Sequence, residues 1–128
     1  RYARWNGTTW VDHQITRAGG TMSEDPAEPN YSGGITLDQE NPSRVYLSRQ
    51  VDGVFEIEEW RTVDGGRSWS STPVTSQSTL GNYRPFSPYG HPGGDLDLLW
   101  MHGAYPSYVG FRTSIWARMG DAGPVRIG

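Results

Sequence analysis

Apolar and polar residues alternate along this chain in short runs. Arg44–Val51 (RVYLSRQV) shows it best, with Val45, Leu47 and Arg49 on one face and Tyr46 and Ser48 on the other. A period of two marks a strand, because successive side chains point to opposite faces. Val54–Val63 repeats the pattern at greater length, with Phe55 and Ile57 opposite Glu56 and Glu58. Further strands are predicted at Arg1–Asn6, Trp10–Thr16, Ser32–Asp38, Ser68–Ser76, Tyr83–Gly90, Asp95–Gly103 and Tyr108–Met119. Pro73 marks Ser68–Ser76 as an edge strand, since proline donates no ladder hydrogen bond. Asn6-Gly7 between the first two runs is a strong hairpin signal. Residues 17–31, with several acids and prolines and no period, predict an irregular connecting loop. The glycine-rich end, 120–128, predicts a frayed tail. Every window of helical length has its apolar stripe broken by Gly or Pro, so the expected class is all-β.

The same features return after roughly 50 residues. Tyr31 and Tyr83 open short strands 52 residues apart, and Tyr46 and Leu98 centre the following strands at the same offset. Trp60 and Trp116 sit late in the third strands, and Trp5 precedes Trp60 by 55 residues. Four short strands per period, joined by glycine-rich turns, is the pattern of a β-propeller blade, a four-stranded antiparallel sheet. In that frame residues 1–16 form the outer half of one blade and 17–31 connect it to the next. Residues 32–76 form a complete blade, 83–119 most of a further blade, and 120–128 the tail. About two and a half blades fall short of the four or more that close a ring. The expected partners are therefore the remaining blades of a longer parent chain, or copies of the chain itself.

Composition narrows the function classes. There are 17 Gly, 9 Pro, 6 Trp and 7 Tyr, a mix of turn formers and strand-favouring aromatics. Net charge is -3 and the pI is about 5.5, which argues against a nucleic-acid surface. All 11 basic residues are Arg, the side chain suited to two-pronged carboxylate binding. Cysteine is absent, which excludes a disulfide framework, a thiolate metal site and a Cys nucleophile. No run has the length of a membrane-spanning helix, so no membrane partner is expected. Asp95 and Asp97 flank Leu96 near His91 without completing a metal-ligand pattern, and no metal or cofactor is expected. The chain opens on Arg1 with no signal-peptide pattern, which is expected of a processed secreted protein or a piece of a longer one.

One motif stands out in RTVDGGRSWSS (61–71). Thr62, Asp64, Gly66, Ser68 and Trp69 fit the spacing Ser/Thr-x-Asp-x-Gly-x-Ser/Thr-Trp. In a strand-to-strand turn the Asp64 carboxylate can accept backbone N–H groups, Gly65 and Gly66 can take positive φ, and Trp69 can pack beneath. This resembles the Asp box, or BNR repeat, of sialidases and related propellers. The resemblance implies that Asp64 is scaffold rather than a catalytic acid or metal ligand. NGTTW (6–10) is similar to a degenerate copy. Beyond the box, YSGGITLDQENPSRVYLSRQVDGVFEIEEWRTVDGGRSW (31–69) and NYRPFSPYGHPGGDLDLLWMHGAY (82–105) resemble BNR-4-type proteins. That group is similar to the ulvan lyase-like polysaccharide lyases, which are seven-bladed propellers. By position Tyr31 looks like the family's proton-transferring Tyr and Arg49 like the Arg that neutralises a uronate carboxylate. The family's catalytic His is expected in an earlier blade, outside this chain. Some relatives hold zinc with Cys and His, a site not expected here without cysteine.

Propeller sites lie on inner strands and their connecting loops. Tyr31, Arg49, Arg84, Tyr89 and His91 fall on or beside such segments, with Tyr31 and Arg49 as catalytic candidates and the other three as substrate-binding ones. Arg can clamp a carboxylate, Tyr or His can move a proton, and aromatic rings can stack on sugars. Pro85 is expected to hold Arg84 extended. His13 and His102 are read as solvent or turn residues, and Glu56 with Glu58 as a solvated face. The expected function is part of a secreted (extracellular or periplasmic) carbohydrate-active propeller. Its expected partner is an acidic polysaccharide or glycan, and its reaction β-elimination at a uronic acid. Alternatives are a sialidase-like glycoside hydrolase and a non-catalytic glycan-binding or structural propeller. The isolated 128 residues are expected to be inactive under each reading.

Overall fold

The structure, a computed structural model, describes residues 1–90, 96–120 and 122–128. The described residues hold ten strands in three antiparallel sheets and no helix. β1 (Tyr2–Trp5) and β2 (Trp10–His13) form a hairpin in which Trp5 faces Trp10 across the ladder. Its turn is tied by Asn6, whose side-chain oxygen accepts the N–H groups of Thr8 and Thr9, both at 2.9 Å.

β3 (Ile35–Leu37), β4 (Arg44–Val51), β5 (Val54–Arg61) and β6 (Ser70–Pro73) form a four-stranded meander in chain order. Asp52 and Gly53, with φ of 51° and 85°, join β4 to β5. Two positive-φ residues in a two-residue loop match the right-handed twist of the strands they connect. β7 (Gly81–Phe86), β8 (Leu96–Ala104), β9 (Arg112–Met119) and β10 (Val125–Arg126) form a second meander of the same order. Here the chain end departs from the expectation of a frayed tail. Val125 and Arg126 pair with Ala117 and Trp116, and β10 is the fourth strand of the sheet.

The two meanders pack face to face. Tyr46 and Ile57 meet Leu98 and Trp100, all of them almost wholly buried. Burial of side chains this size stabilises by about 1.5–3 kcal/mol each. A second cluster of Met22, Phe55, Tyr83 and Tyr105 closes one end of the interface. At the inner edge β7 approaches β3, where the Arg84 N–H donates to the Gly33 carbonyl at 2.6 Å. A Cβ on the next residue, Gly34, would stand 3.2 Å from the Arg84 Cα, and its φ of 97° also favours glycine, so this approach is closest without a side chain there. At the outer edge Arg118 from β9 reaches Tyr46 Oη at 2.7 Å and Glu59 at 3.1 Å, while its own sheet supplies Asp97 at 2.7 Å.

Glu56 and Glu58 do not form a solvated face. They are 3% and 6% exposed. Alternation identifies the strand, but both carboxylates are buried and bonded to donors within the protein. Glu56 accepts from the Ser78 N–H at 2.7 Å and the Asn82 amide at 3.1 Å, and also from the Thr75 hydroxyl. Glu58 takes both prongs of Arg49, at 2.8 and 2.6 Å, and the Trp60 indole N–H at 2.9 Å. Fully partnered carboxylates of this kind are the form in which charge can be buried.

Candidate functional site

The start of β3, the end of β4 and the end of β8 lie at one end of the paired meanders, because each sheet alternates strand direction. The loop through Tyr31 and the β8–β9 connection meet there. Glu28 joins them, accepting the Tyr108 N–H on both carboxylate oxygens at 3.1 and 3.0 Å and the Ser23 hydroxyl at 2.6 Å. The Glu24 N–H adds a bond to the Tyr105 carbonyl at 3.3 Å. Tyr31 and Tyr108 stand 5.9 Å apart by ring centroid, and Tyr105 stacks on Phe111 at 5.7 Å. Tyr31 also packs against the cluster around Phe55 and Tyr83.

Tyr105 is the electrostatic centre of this group. Burial pushes its hydroxyl above the ordinary tyrosine pKa; the charge of Arg84 opposes that, and Tyr31, Glu28 and Tyr108 add to it. The hydroxyl therefore keeps its proton and can donate it in a hydrogen bond. Arg84 is exposed, and among the described residues its guanidinium makes no ion pair or hydrogen bond. Its backbone has a φ of 56°, within a shift of register between Tyr83 and Phe86. Pro85 does not hold it extended. The bond from its N–H to Gly33 bends β7 away from β8 and toward the neighbouring sheet.

The sequence candidates thus separate. Tyr31 and Arg84 come together around Tyr105. Arg49 lies near the end of β4 with its guanidinium engaged by Glu58. Tyr89 is 76% exposed. The Gly90 N–H beside it donates to Glu40 at 3.0 Å, which places Tyr89 by the β3–β4 turn, at the opposite end from Tyr31. His91 lies outside the described residues, as does Asp95. Glu28, Tyr105 and Tyr108 complete the cluster, although the sequence pattern puts Glu28 in a connecting loop, Tyr105 in a turn and Tyr108 at the head of a strand that in the structure begins only at Arg112. The signal for the two tyrosines is their close spacing with Phe111, three aromatics ahead of the strand that begins at Arg112.

The turn of Thr62–Trp69 stands apart from all of these. It lies beside the β3–β4 turn, where the Thr62 N–H donates to the Ser43 carbonyl at 3.0 Å. Asp64 accepts the Ser68 N–H at 2.8 Å and the Ser68 hydroxyl at 2.6 Å, and Thr62 donates to it at 2.9 Å. Thr62 Oγ1 in turn accepts the Gly66 N–H at 2.8 Å. The Trp69 indole donates to the Gly66 carbonyl at 2.9 Å, and its ring meets Tyr2 of β1 edge-on at 5.1 Å. The Ser68 bonds hold the Asp64 carboxyl down at about 2.

His102 is a strand residue rather than a turn residue. It lies in β8, partly buried, with Nδ1 at 3.0 Å from the Asn82 side-chain oxygen. Compared with protein-family models, curated proteins and solved structures, the chain matches none of them.

Proposed function

We propose that these sheets are blades of a carbohydrate-active β-propeller, and that the Tyr31–Arg84–Tyr105 face binds an acidic glycan. Two consecutive four-stranded meanders packed face to face support the blade reading. The observation that carries the glycan reading is the guanidinium of Arg84, unpartnered among the described residues, beside the ring cluster of Tyr31, Tyr105, Tyr108 and Phe111. An exposed Arg without an internal partner offers two parallel donors to a uronate carboxylate. The aromatic faces offer the flat apolar surface that a sugar ring needs, and Tyr105 offers a hydroxyl donor.

The reaction this arrangement serves is β-elimination at the uronic acid. Elimination takes the proton α to the carboxylate, breaks the bond to the neighbouring sugar's oxygen and leaves a carbon–carbon double bond. Arg84, in place of the Glu58-bound Arg49, neutralises the carboxylate and makes the α-proton more acidic. In this reading Tyr31 hands a proton to the departing oxygen. The base that takes the α-proton is supplied from outside this cluster. The closure of Arg49 on Glu58 also favours a second reading, in which the face recognises a glycan without turning it over. A sialidase-like hydrolase is the third, and a sialoside reporter separates it from both.

Affinity electrophoresis in gels containing polyuronate tests the binding. The expected outcome is retardation of the protein that weakens with salt, is lost in Arg84→Ala and is kept in Arg49→Ala. Equal retardation of Arg84→Ala and the parent protein would overturn the reading. New ultraviolet absorbance from an unsaturated product, with the same polymers and the full parent chain, decides between elimination and recognition alone.

A further inference from the structure

Between the two four-stranded sheets, away from the Tyr31–Arg84 face, His102 is held by neighbours that leave its protons no freedom. Asn82, directly opposite in the ladder, is 2% exposed. The Trp100 indole N–H, which can only donate, reaches the Asn82 side-chain oxygen at 3.0 Å. The Asn82 amide nitrogen faces the Phe55 carbonyl at 3.2 Å and the Glu56 carboxylate at 3.1 Å, both acceptors. The amide therefore has one orientation, and its oxygen is the atom 3.0 Å from His102 Nδ1. Nδ1 must donate. In the neutral ring Nε2 is then a bare acceptor, and the chain from Glu56 through Asn82 to His102 aims it.

Nε2 has no hydrogen-bond partner among the described residues and is not enclosed. His102 lines a cleft of about 270 Å³ together with Val74, Ser76, Trp116 and Pro124. That is just under the roughly 300–1,000 Å³ of pockets for drug-sized ligands, a size suited to a single ring. Trp116 stands edge-on to the imidazole at 5.0 Å. No Arg lines the cleft, and the buried Glu56 carboxylate lies behind Asn82, so an anion finds no counter-charge there.

We propose that this cleft is a second ligand site, taking a neutral hydroxyl-bearing ring such as a single pyranoside. One ligand hydroxyl donates to His102 Nε2, and the apolar side of the ring lies against Trp116. The site shares no residue with the Tyr31–Arg84 cluster and stands whether or not that cluster binds acidic glycans.

Saturation-transfer NMR with methyl glucoside, methyl galactoside and methyl xyloside tests it. Transfer to at least one is expected. His102→Asn keeps an amide nitrogen where Nδ1 stood and removes Nε2 together with the outer part of the ring, so it should weaken binding at least about three- to tenfold, the worth of one hydrogen bond. Trp116→Ala should weaken the same ligand. Absence of transfer from all three glycosides overturns the proposal, as does unchanged affinity in a folded His102→Asn. If that variant does not fold, the ¹⁵N shift of His102 Nε2 in the parent protein decides. Movement on titration supports the site, and a fixed shift overturns it.

Discussion

Arg84 and Asp64 show how far a single residue can be read from its neighbours in sequence. Asp64 is tied to Thr62 and Ser68, two and four positions away, so its bonds are local and the motif spacing carries them. Arg84 answers to Gly33, half the chain away, and the local preference imposed by Pro85 gives way to that tertiary bond. Asn82 was equally unreadable, since its partners Phe55, Glu56 and Trp100 are 18 to 27 residues distant. The left-handed backbone at Arg84, with φ of 56°, carries a testable cost. Such a conformation costs a non-glycine residue about 1–2 kcal/mol. Arg84→Gly relieves it but frees the unfolded chain by about 0.5–1 kcal/mol, so the urea midpoint should hardly move. Arg84→Val, branched at Cβ, should lower stability by at least about 1 kcal/mol. Equal midpoints for the Val and Gly variants would refute the strain.

At the scale of elements, alternation found β4 at its predicted bounds, Arg44–Val51, but started β9 four residues early, at Tyr108 rather than Arg112. It failed where a strand is two residues long. β10 exists because Ile115 exchanges backbone bonds with Gly128 and accepts the Ile127 N–H, contacts that no pattern within 120–128 announces. It failed again where a polar face is buried, as at Glu56 and Glu58. The clearest element-scale dependence is that of β9 on the first meander through Arg118. Arg118→Ala would leave Glu59 and Asp97, 7% and 13% exposed at the side chain, without their shared cation. Glu59 would keep Arg61, but Asp97 would stand without a cation among the described residues, at a cost of about 1–3 kcal/mol. Chemical denaturation should show a loss of that size, and a loss below about 1 kcal/mol would mean that Arg118 adds little to the packing of the two sheets.

For the whole molecule, acid is the informative stress. Burial raises the Glu59 carboxyl, but the bonds from Arg61 and Arg118 outweigh it and leave the pKa below the ordinary value of 4.5. Asp64 lies at about 2 against an ordinary 3.8. Both groups bind protons more readily when unfolded. They therefore favour the fold above those ordinary values and cease to do so as pH falls through the folded ones. The melting temperature should drop between about pH 4.5 and pH 2, and Asp64→Asn should flatten the lower part of that drop. A variant with the same acid profile as the parent protein would show that the Asp64 bonds do not favour folding. The gap between the meanders has a gradient of its own. At the inner edge Gly33 lets backbone touch backbone, and farther out Ser48 bridges to the Asn82 carbonyl. Beyond that Tyr46 and Ile57 face Leu98 and Trp100, and outermost is the full length of Arg118. Side-chain size thus grows from hinge to rim, like a book propped open by progressively thicker pages. The dihedral angle between the sheets is therefore written in volumes: a side chain at Gly34, which faces Arg84, would widen the hinge, trimming Arg118 would lower the rim, and both would narrow that angle.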